Sequence, residues 1–574
     1  MLDIPSGEAE LIAFANELVR QCTASQSVRN AYYRALSMIY ETGRYDGTKA
    51  LVNTLPNHIK RLAGMLYSPV ELKFSLAYDN IYPPIQLERG KVGAKLLGAQ
   101  WSTPGVNADT LWGRGTEDAL KYGGVLLKQW VLEEWEMPVY QQKLVMPWQF
   151  GVYNESENDI AKQEALVETS RITMPEVWRR IAQLPNAKDL YNKINQTAGV
   201  SPVGETPDSF FHTVLSTSQL QTGVNGGGSV IPGGIAQFNQ NPNYALMGPV
   251  VSAPTVKFHE IWVKGEDDYA TIQMIEDFIL VTKFKTSNLL GVKRRQPYRL
   301  IQPNEVTNYF WGRSELVDLI EPQGLLATWC DDLKRMYGLQ VDKILAFTGS
   351  GGITDEIYGQ FRATGYMNMD QGADVKDLTP KIPPEALPLL KWIMEVMNMI
   401  MGFPPIMQGQ GDTGVRAGVQ LNSLMKTASP TQRDRALLLE RQLADAATLS
   451  FDIRRAKDAK KYWTDGSSPE KAAETAFLLG EIPDDYKVVV DSHSSSPIFS
   501  DENTQLIFQA RKIGDVSGRY MLENLAFPNK DQALAEWDKK QEAGAAQAAE
   551  FKDTVKQMPL EVQGKVVEKM AAKR

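Results

Sequence analysis

The sequence predicts an α+β chain that is mostly helical, and three observations carry this expectation. Apolar residues recur at mixed three- and four-residue spacing near the start (Leu11, Phe14, Ala15, Leu18) and again through Leu326, Trp329, Leu333 and Met336, as in helices with a buried side. A middle region changes to strand patterning, where Val256, Phe258, Glu260, Trp262 and Lys264 alternate with Lys257, His259, Ile261 and Val263. Punctuation is strong: Gly402-Phe403-Pro404-Pro405 closes one helix, and Ser429-Pro430-Thr431-Gln432 has the capping-box form that opens another. At 574 residues the chain exceeds one simple core, so about two to four structural regions are expected.

Taken in order, residues 1–68 read as helices, with Ile59, Leu62 and Leu66 as a further apolar stripe. Between the stripes, Tyr32, Tyr33, Met38 and Tyr40 lead into a turn at Gly43 to Gly47. Residues 110–150 read as helix and then strand, ending in the Trp148–Tyr153 stretch, and 159–198 read again as helix. Residues 209–256 carry no Asp, Glu, Lys or Arg and are rich in Gly, Asn, Gln, Ser and Pro, which predicts a long surface loop or an arm reaching a neighbour. A small antiparallel sheet is expected from 256–264, Phe278–Val281 and Tyr298–Ile301.

From Trp311 onward helices dominate. Ser314 is a good N-cap with Glu315 in the positive first turn, Pro322 interrupts, and a second helix follows. Residues 344–383 lose periodicity among repeated glycines and end at Pro383-Pro384, an insertion between two helices. Residues 385–402 form the next helix, and a Gly-rich loop leads to a helical stretch over 415–459, divided or kinked near Pro430. A strand at Tyr486–Val490 and helices over 501–574 complete the chain.

Composition narrows the function classes. Charged residues at 23% and hydrophobic residues at 43% are those of an ordinary folded protein, neither fibrous nor wholly disordered. The net charge of −8 disfavours a tight, sequence-reading DNA binder, which neutralises phosphates with a basic surface. Cys22 and Cys330 are too few for a disulfide framework or a four-cysteine zinc site, and predict reduced thiols in a protein that folds in a cytosol. Asp3, Glu8 and Glu10 interrupt the start where a signal peptide needs an apolar run. Leu387–Phe403 carries Lys391, Glu395 and Asn398, and each mid-bilayer charge costs roughly 2.5–3.5 kcal/mol, so no membrane span is expected.

Motifs for catalysis are weak. Gly409-Gln410-Gly411-Asp412-Thr413-Gly414 matches G-x-G-x-x-G, with Asp434 further on, but a dinucleotide site needs a preceding strand, and here a Met-rich helix and two prolines precede it. There is no P-loop sequence, and His58, His212, His259 and His493 have no metal-ligand spacing. A nucleotide-binding enzyme using 409–414 is the least favoured alternative; no cofactor and no enzymatic activity are expected.

The helix at 385–402 is more informative. Lys391, Glu395 and Asn398 share one narrow face, while Leu389, Leu390, Trp392, Ile393, Met394, Val396, Met397, Met399, Ile400 and Met401 fill the rest. Such a helix must be packed on several sides. It is either the central helix of a monomeric core or a helix in a ring, its flanks covered by neighbours and its thin stripe lining a channel. Met side chains, which repack readily, suit the second case.

The order of these features carries a resemblance. An N-terminal helical region with Tyr32-Tyr33 and the run Asn53 to Pro69 leads into mixed β structure, then Phe310-Trp311-Gly312-Arg313-Ser314 and a helix holding Glu321-Pro322-Gln323. An irregular insertion, a short helix, a loop starting Gly402-Phe403-Pro404-Pro405 and a long helix follow. Over most of its length the chain resembles the portal proteins of tailed bacteriophages. Each motif is weak alone, and the specificity lies in their order.

The resemblance implies a subunit with wing, stem, clip and crown regions, assembling into a ring with an axial channel. Residues 1–313 would be the N-terminal wing, 314–343 the first stem helix, 344–383 the clip and 384–402 the second stem helix. Residues 403–415 would be the tunnel loop, 416–500 the long wing helix and its return to the wing, and 501–574 the helical crown. The implied function is the ring at the capsid vertex through which double-stranded DNA is packaged and ejected. Its implied partners are eleven further copies in a dodecamer, the large terminase as packaging ATPase, head–tail adaptor and tail proteins, and the major capsid or scaffolding protein. Its implied place is the portal vertex of the virion, after assembly in the host cytoplasm. Clip residues Phe361, Arg362, Tyr366 and Asp370 would meet the motor or adaptor. Another virion head or adaptor component is the alternative.

A conduit must let DNA slide, and every Lys or Arg that neutralises a phosphate deepens a salt-dependent trap. Uncharged Gln408, Gln410 and Thr413 in the loop suit low friction. Arg416 and Lys391 are the positions expected to touch phosphate, with Asp412 and Glu395 as counterweights.

Overall fold

The computed structural model describes residues 4–197, 255–283, 290–341, 345–348, 374–402 and 430–490, apart from short interruptions, and parts of 507–543. The uncharged region 209–254 therefore lies outside the described residues. Two compact units divide the chain, Met1–Asp491 and Ser492–Arg574. The described residues are α+β.

Three helices open the first unit: α1 (Glu8–Cys22), α2 (Gln26–Thr42) and α3 (Leu55–Leu66). They bury the stripes the spacing predicts, Leu11, Ala15 and Leu18 on α1 and Ile59, Leu62 and Leu66 on α3. Strand β1 (Phe74–Tyr78), α4 (Pro84–Trp101) and α5 (Ala108–Tyr122) follow.

Two antiparallel sheets come next. Strands β2 (Val125–Glu134), β3 (Met137–Val145), β4 (Phe150–Val152) and β5 (Ala165–Thr173) precede α6 (Met174–Ile181) and α7 (Ala187–Thr197). Strands β6 (Thr255–Lys264), β7 (Tyr269–Ile275), β8 (Phe278–Lys283) and β9 (Tyr298–Ile301) follow. The larger sheet has the order β4-β5-β6-β7-β8 and the smaller β3-β2-β9.

Two sequence expectations change here. Residues 159–198 are not one helical region, because 165–173 form the strand beside β6, with Val167 facing Ile261 across the ladder. Its β-branched Val167, Thr169, Ile172 and Thr173 suit a pleated, covered surface better than a helix. Tyr298–Ile301 is a strand as expected, but it pairs with β2 in the smaller sheet instead of joining 256–264.

The larger sheet is covered on both faces. Val167, Ile261, Val263 and Ile272 pack under Leu11, Ala15, Leu18 and Cys22 of α1. On the opposite face Phe150, Leu166 and Trp262 meet Tyr298, Phe310 and Trp311. Period-2 alternation thus serves two apolar layers at once, with Ile261 and Val263 of β6 on one face and Trp262 on the other.

The chain then passes a 3₁₀ turn at Glu315–Leu319 into α8 (Ile320–Val341), with Ser314 Oγ accepting from the Leu316 amide at 3.1 Å. Pro322 sits in the first turn of α8, where its missing N–H costs nothing, so it starts the helix instead of interrupting it. Strand β10 (Leu345–Thr348) pairs antiparallel with β11 (Asp374–Asp377), and α9 (Ala386–Ile400) follows.

Helix α10 (Pro430–Lys457) then crosses the body, sending Leu449 and Ile453 into the core between the sheets. Its Ala446, Ala447 and Ser450 are small and buried, which lets β2 approach closely: Gln129 Nε2 donates to Ala446 O at 2.9 Å, and Ser450 Oγ donates to Gln129 Oε1 at 2.7 Å. Strand β12 (Lys461–Trp463), α11 (Pro469–Glu474) and β13 (Ala476–Leu478) lead to β14 (Tyr486–Val490). The last strand returns to pair with β1, and Tyr486, Val488 and Val490 face inward. In the second unit, residues 507–513 are helical, as the sequence predicts.

Candidate functional site

Helices α8 and α9 pack against each other, and the antiparallel β10–β11 ladder joins their far ends. The root of this pair is fixed by polar contacts to the body. Gln323 is fully buried; its Oε1 accepts from Thr54 N at 3.2 Å and Thr54 Oγ1 at 3.0 Å, and its Nε2 donates to Val52 O at 2.8 Å. Further along α8, Arg44 donates to Ala327 O at 3.2 Å, one turn from Gln323, and pairs with Asp331 one turn beyond that.

Beyond its root the pair is exposed. Buried positions on α8 end at Cys330, and the distal half leaves Tyr337 and Val341 open, Val341 at 83%. On α9 the buried positions Ala386, Ile393 and Met397, continued by Met401, form one narrow line, two helical turns and then one turn apart. Leu387, Trp392, Met394, Met399 and Ile400 are exposed, Trp392 at 53% and Met399 at 65%.

The helical period places Trp392 and Met399 on one side of Lys391 and Glu395, and Leu387 and Met394 on the other. Lys391 and Glu395 face solvent, as a thin polar stripe requires. Asn398 does not: it is half-buried, and its Oδ1 lies 3.2 Å from Nε2 of His58, whose Nδ1 lies 2.8 Å from Thr54 O. The sequence grouped the three by helical phase, but Asn398 borders the buried line and is used to seat α9 on α3. In this single chain α9 is therefore not the central helix of a monomeric core.

Gln408, Gln410, Asp412, Thr413 and Arg416, expected in a tunnel loop, lie outside the described residues, and so do Phe361, Arg362, Tyr366 and Asp370, expected in a clip. The G-x-G-x-x-G sequence at 409–414 lies outside them as well.

Sequence reasoning missed a buried charge cluster between the two sheets. Lys128 Nζ lies 2.7 Å from Glu168 Oε2 and 2.7 Å from Glu260 Oε1, and Lys143 pairs with the other oxygen of Glu168. Tyr298 donates to Glu168 at 2.8 Å, and Trp262 Nε1 donates to Glu260 at 2.9 Å. Burial pushes the Glu168 carboxyl up, but Lys128 and Lys143 outweigh it and hold it at about 2. Burial likewise disfavours the Lys128 ammonium, and Glu260 and Glu168 outweigh that, raising it. Two carboxylates and two ammonium groups neutralise one another where removing one would strand a buried charge. The cluster fastens sheet to sheet. Its only sequence trace is charged residues inside strands that otherwise read as buried.

Trp311 of the Phe310–Ser314 motif is held similarly. The Arg29 guanidinium stacks 4.4 Å from its ring centroid and pairs with Glu155 at 3.0 Å. His259 is held neutral: burial, then Lys257, lowers it to about 4. Among the described residues no group of His, Cys, Asp and Glu has the arrangement of a metal site, and no helix is long and apolar enough to cross a membrane.

No protein-family model matches the chain, and no curated protein matches it. A solved structure described as the neck of native GTA particle computed with C12 symmetry contains a chain similar to this one at a TM-score of 0.39 and 12% identity, covering 86% of this chain and 94% of that chain.

Proposed function

We propose that this chain is a ring-forming structural subunit of the portal type at the head-to-tail junction of a tailed phage, without catalytic activity of its own. The observation that carries the reading is the α8–α9 pair. Four large apolar side chains on α9, Trp392 and Met399 on one side and Leu387 and Met394 on the other, stand exposed along a Lys391–Glu395 stripe on an element rooted by buried polar contacts. Solvent-facing apolar surface of that kind marks contact with other protein. The order of motifs along the chain supplies the choice of portal among ring proteins.

On this reading neighbouring subunits cover Trp392 and Met399 on one flank and Leu387 and Met394 on the other, leaving Lys391 and Glu395 toward the channel. Residues 403–415 meet double-stranded DNA, 344–383 meet the large terminase and later the adaptor, and the energy for packaging comes from that separate ATPase. The subunit resides at the portal vertex of the virion.

Negative-stain images of the purified protein test this directly. Closed rings with an axial hole, of about twelve copies by light scattering, are expected. A protein that stays monomeric or forms open filaments at micromolar concentration would belong instead to another head or adaptor component. Saturable binding of ATP or NAD would favour the enzyme reading.

A further inference from the structure

The end of α9 and the described start of α10 meet at one place. Helix α9 ends with Met401 and with Gly402 in the left-handed region at φ +68°, which leaves terminal carbonyls without helical partners. Gln432, in the first turn of α10 and 1% exposed, donates from Nε2 to Met401 O at 2.6 Å. A Cβ at Gly402 would lie 2.9 Å from that same Nε2, and the left-handed backbone conformation reserves the position for glycine.

The bond continues inward. Arg435 Nη1 donates to Gln432 Oε1 at 3.4 Å, and the guanidinium meets both oxygens of Glu315 side by side, at 3.3 Å and 3.1 Å. Asn304 Nδ2 donates to Glu315 Oε2 at 2.9 Å, and Asn304 O accepts from the Arg313 amide at 3.0 Å. The chain of contacts ends at Gly312 (φ +69°), where a Cβ would lie 2.6 Å from Asn304 O. Two separated sequence features, the Phe310–Ser314 motif and the Gly402 helix stop, are thus joined by one largely buried polar chain.

We propose that Gln432 and Arg435 are positioning residues that lock the Met401–Gly402 end of α9 to the described start of α10 and fix both to the root of α8. Where this concerns DNA, it rests on the reading of 403–415 as the part that meets it; the lock itself stands on geometry. A buried donor bond of this kind has no water to replace it, so its loss opens the end of α9 locally.

The test is hydrogen–deuterium exchange of the full-length protein carrying Gln432→Met, which keeps length and removes the donor. Exchange at the Met401 and Gly402 amides is expected to rise about tenfold, with Val125–Leu127 of β2 unchanged. Arg435→Lys, which keeps charge but not the two-pronged geometry, is expected to raise it about threefold and serves if the first variant does not fold. Unchanged exchange at 401–402 in a folded variant overturns the lock, and so does a uniform rise that includes β2. DNA retention in assembled particles is then measured separately. Raised exchange with normal retention leaves the lock standing and removes the DNA-facing reading of 403–415.

Discussion

The body of the first unit and the α8–α9 pair use the same kinds of residue to opposite effect. In the body, Trp101, Trp112, Trp311 and Tyr298 are almost completely buried, and even its internal charges are matched between sheets. On α9, Trp392 and Met399 are half exposed or more although the helix is richer in apolar residues than most of the body. One region completes its core within the chain. The other has a rigid root and an uncovered surface, which is the form expected of a part finished by neighbouring copies.

Breaking the body should cost the most. Lys128→Ala strands Glu168 and Glu260 without their shared partner and is expected to destabilise the monomer by about 3–5 kcal/mol in denaturant unfolding. Replacing Lys128 and both glutamates together by apolar residues should recover much of that loss.

The α9 flank should behave in the reverse way. Trp392→Ala is expected to change monomer stability by no more than about 0.5 kcal/mol, yet to weaken assembly by roughly thirtyfold, as interface aromatic anchors do. Sedimentation velocity reads the second quantity and thermal unfolding the first. Equal effects on both would erase the contrast between the two regions.

The root joins them. Gln323→Ala leaves Thr54 and the Val52 carbonyl without their buried partner, which is expected to cost about 1–3 kcal/mol and to raise protease cleavage in α8.

Acid should act on the body most gradually. His259, ordinarily near 6.5 and held at about 4, is neutral when folded, so its share of stability is full above pH 6.5 and falls as pH drops toward 4. Glu168, ordinarily near 4.5 and held at about 2, contributes above pH 4.5 and loses its share as pH falls from there toward 2. His259→Asn is expected to flatten the stability profile between pH 6.5 and 4 only, by up to about 1.4 kcal/mol per pH unit.

Much of the local structure was legible in the sequence. The stripe Leu11, Ala15 and Leu18, the strand Tyr486–Val490 and the stop at Gly402 follow from period and backbone chemistry, which need no distant partner. Strand β5 was not legible, because its covering comes from both α1 and the smaller sheet, so its alternation lacks a polar face. Of the candidate site, the phase of Lys391 and Glu395 could be read, while the inward turn of Asn398 could not, since His58 stands far away in sequence.

The sequence by itself determined where helices begin and end, which faces are apolar, and that α9 carries more apolar surface than one stripe can hide. Those properties reside in the spacing of neighbouring residues. The tertiary structure alone decided which strands share a sheet, that Lys128 and Lys143 neutralise Glu168 and Glu260, and that Gln432 reaches Met401. Those partners are brought together only when two sheets and a crossing helix enclose a space too dry for an unmatched charge or donor.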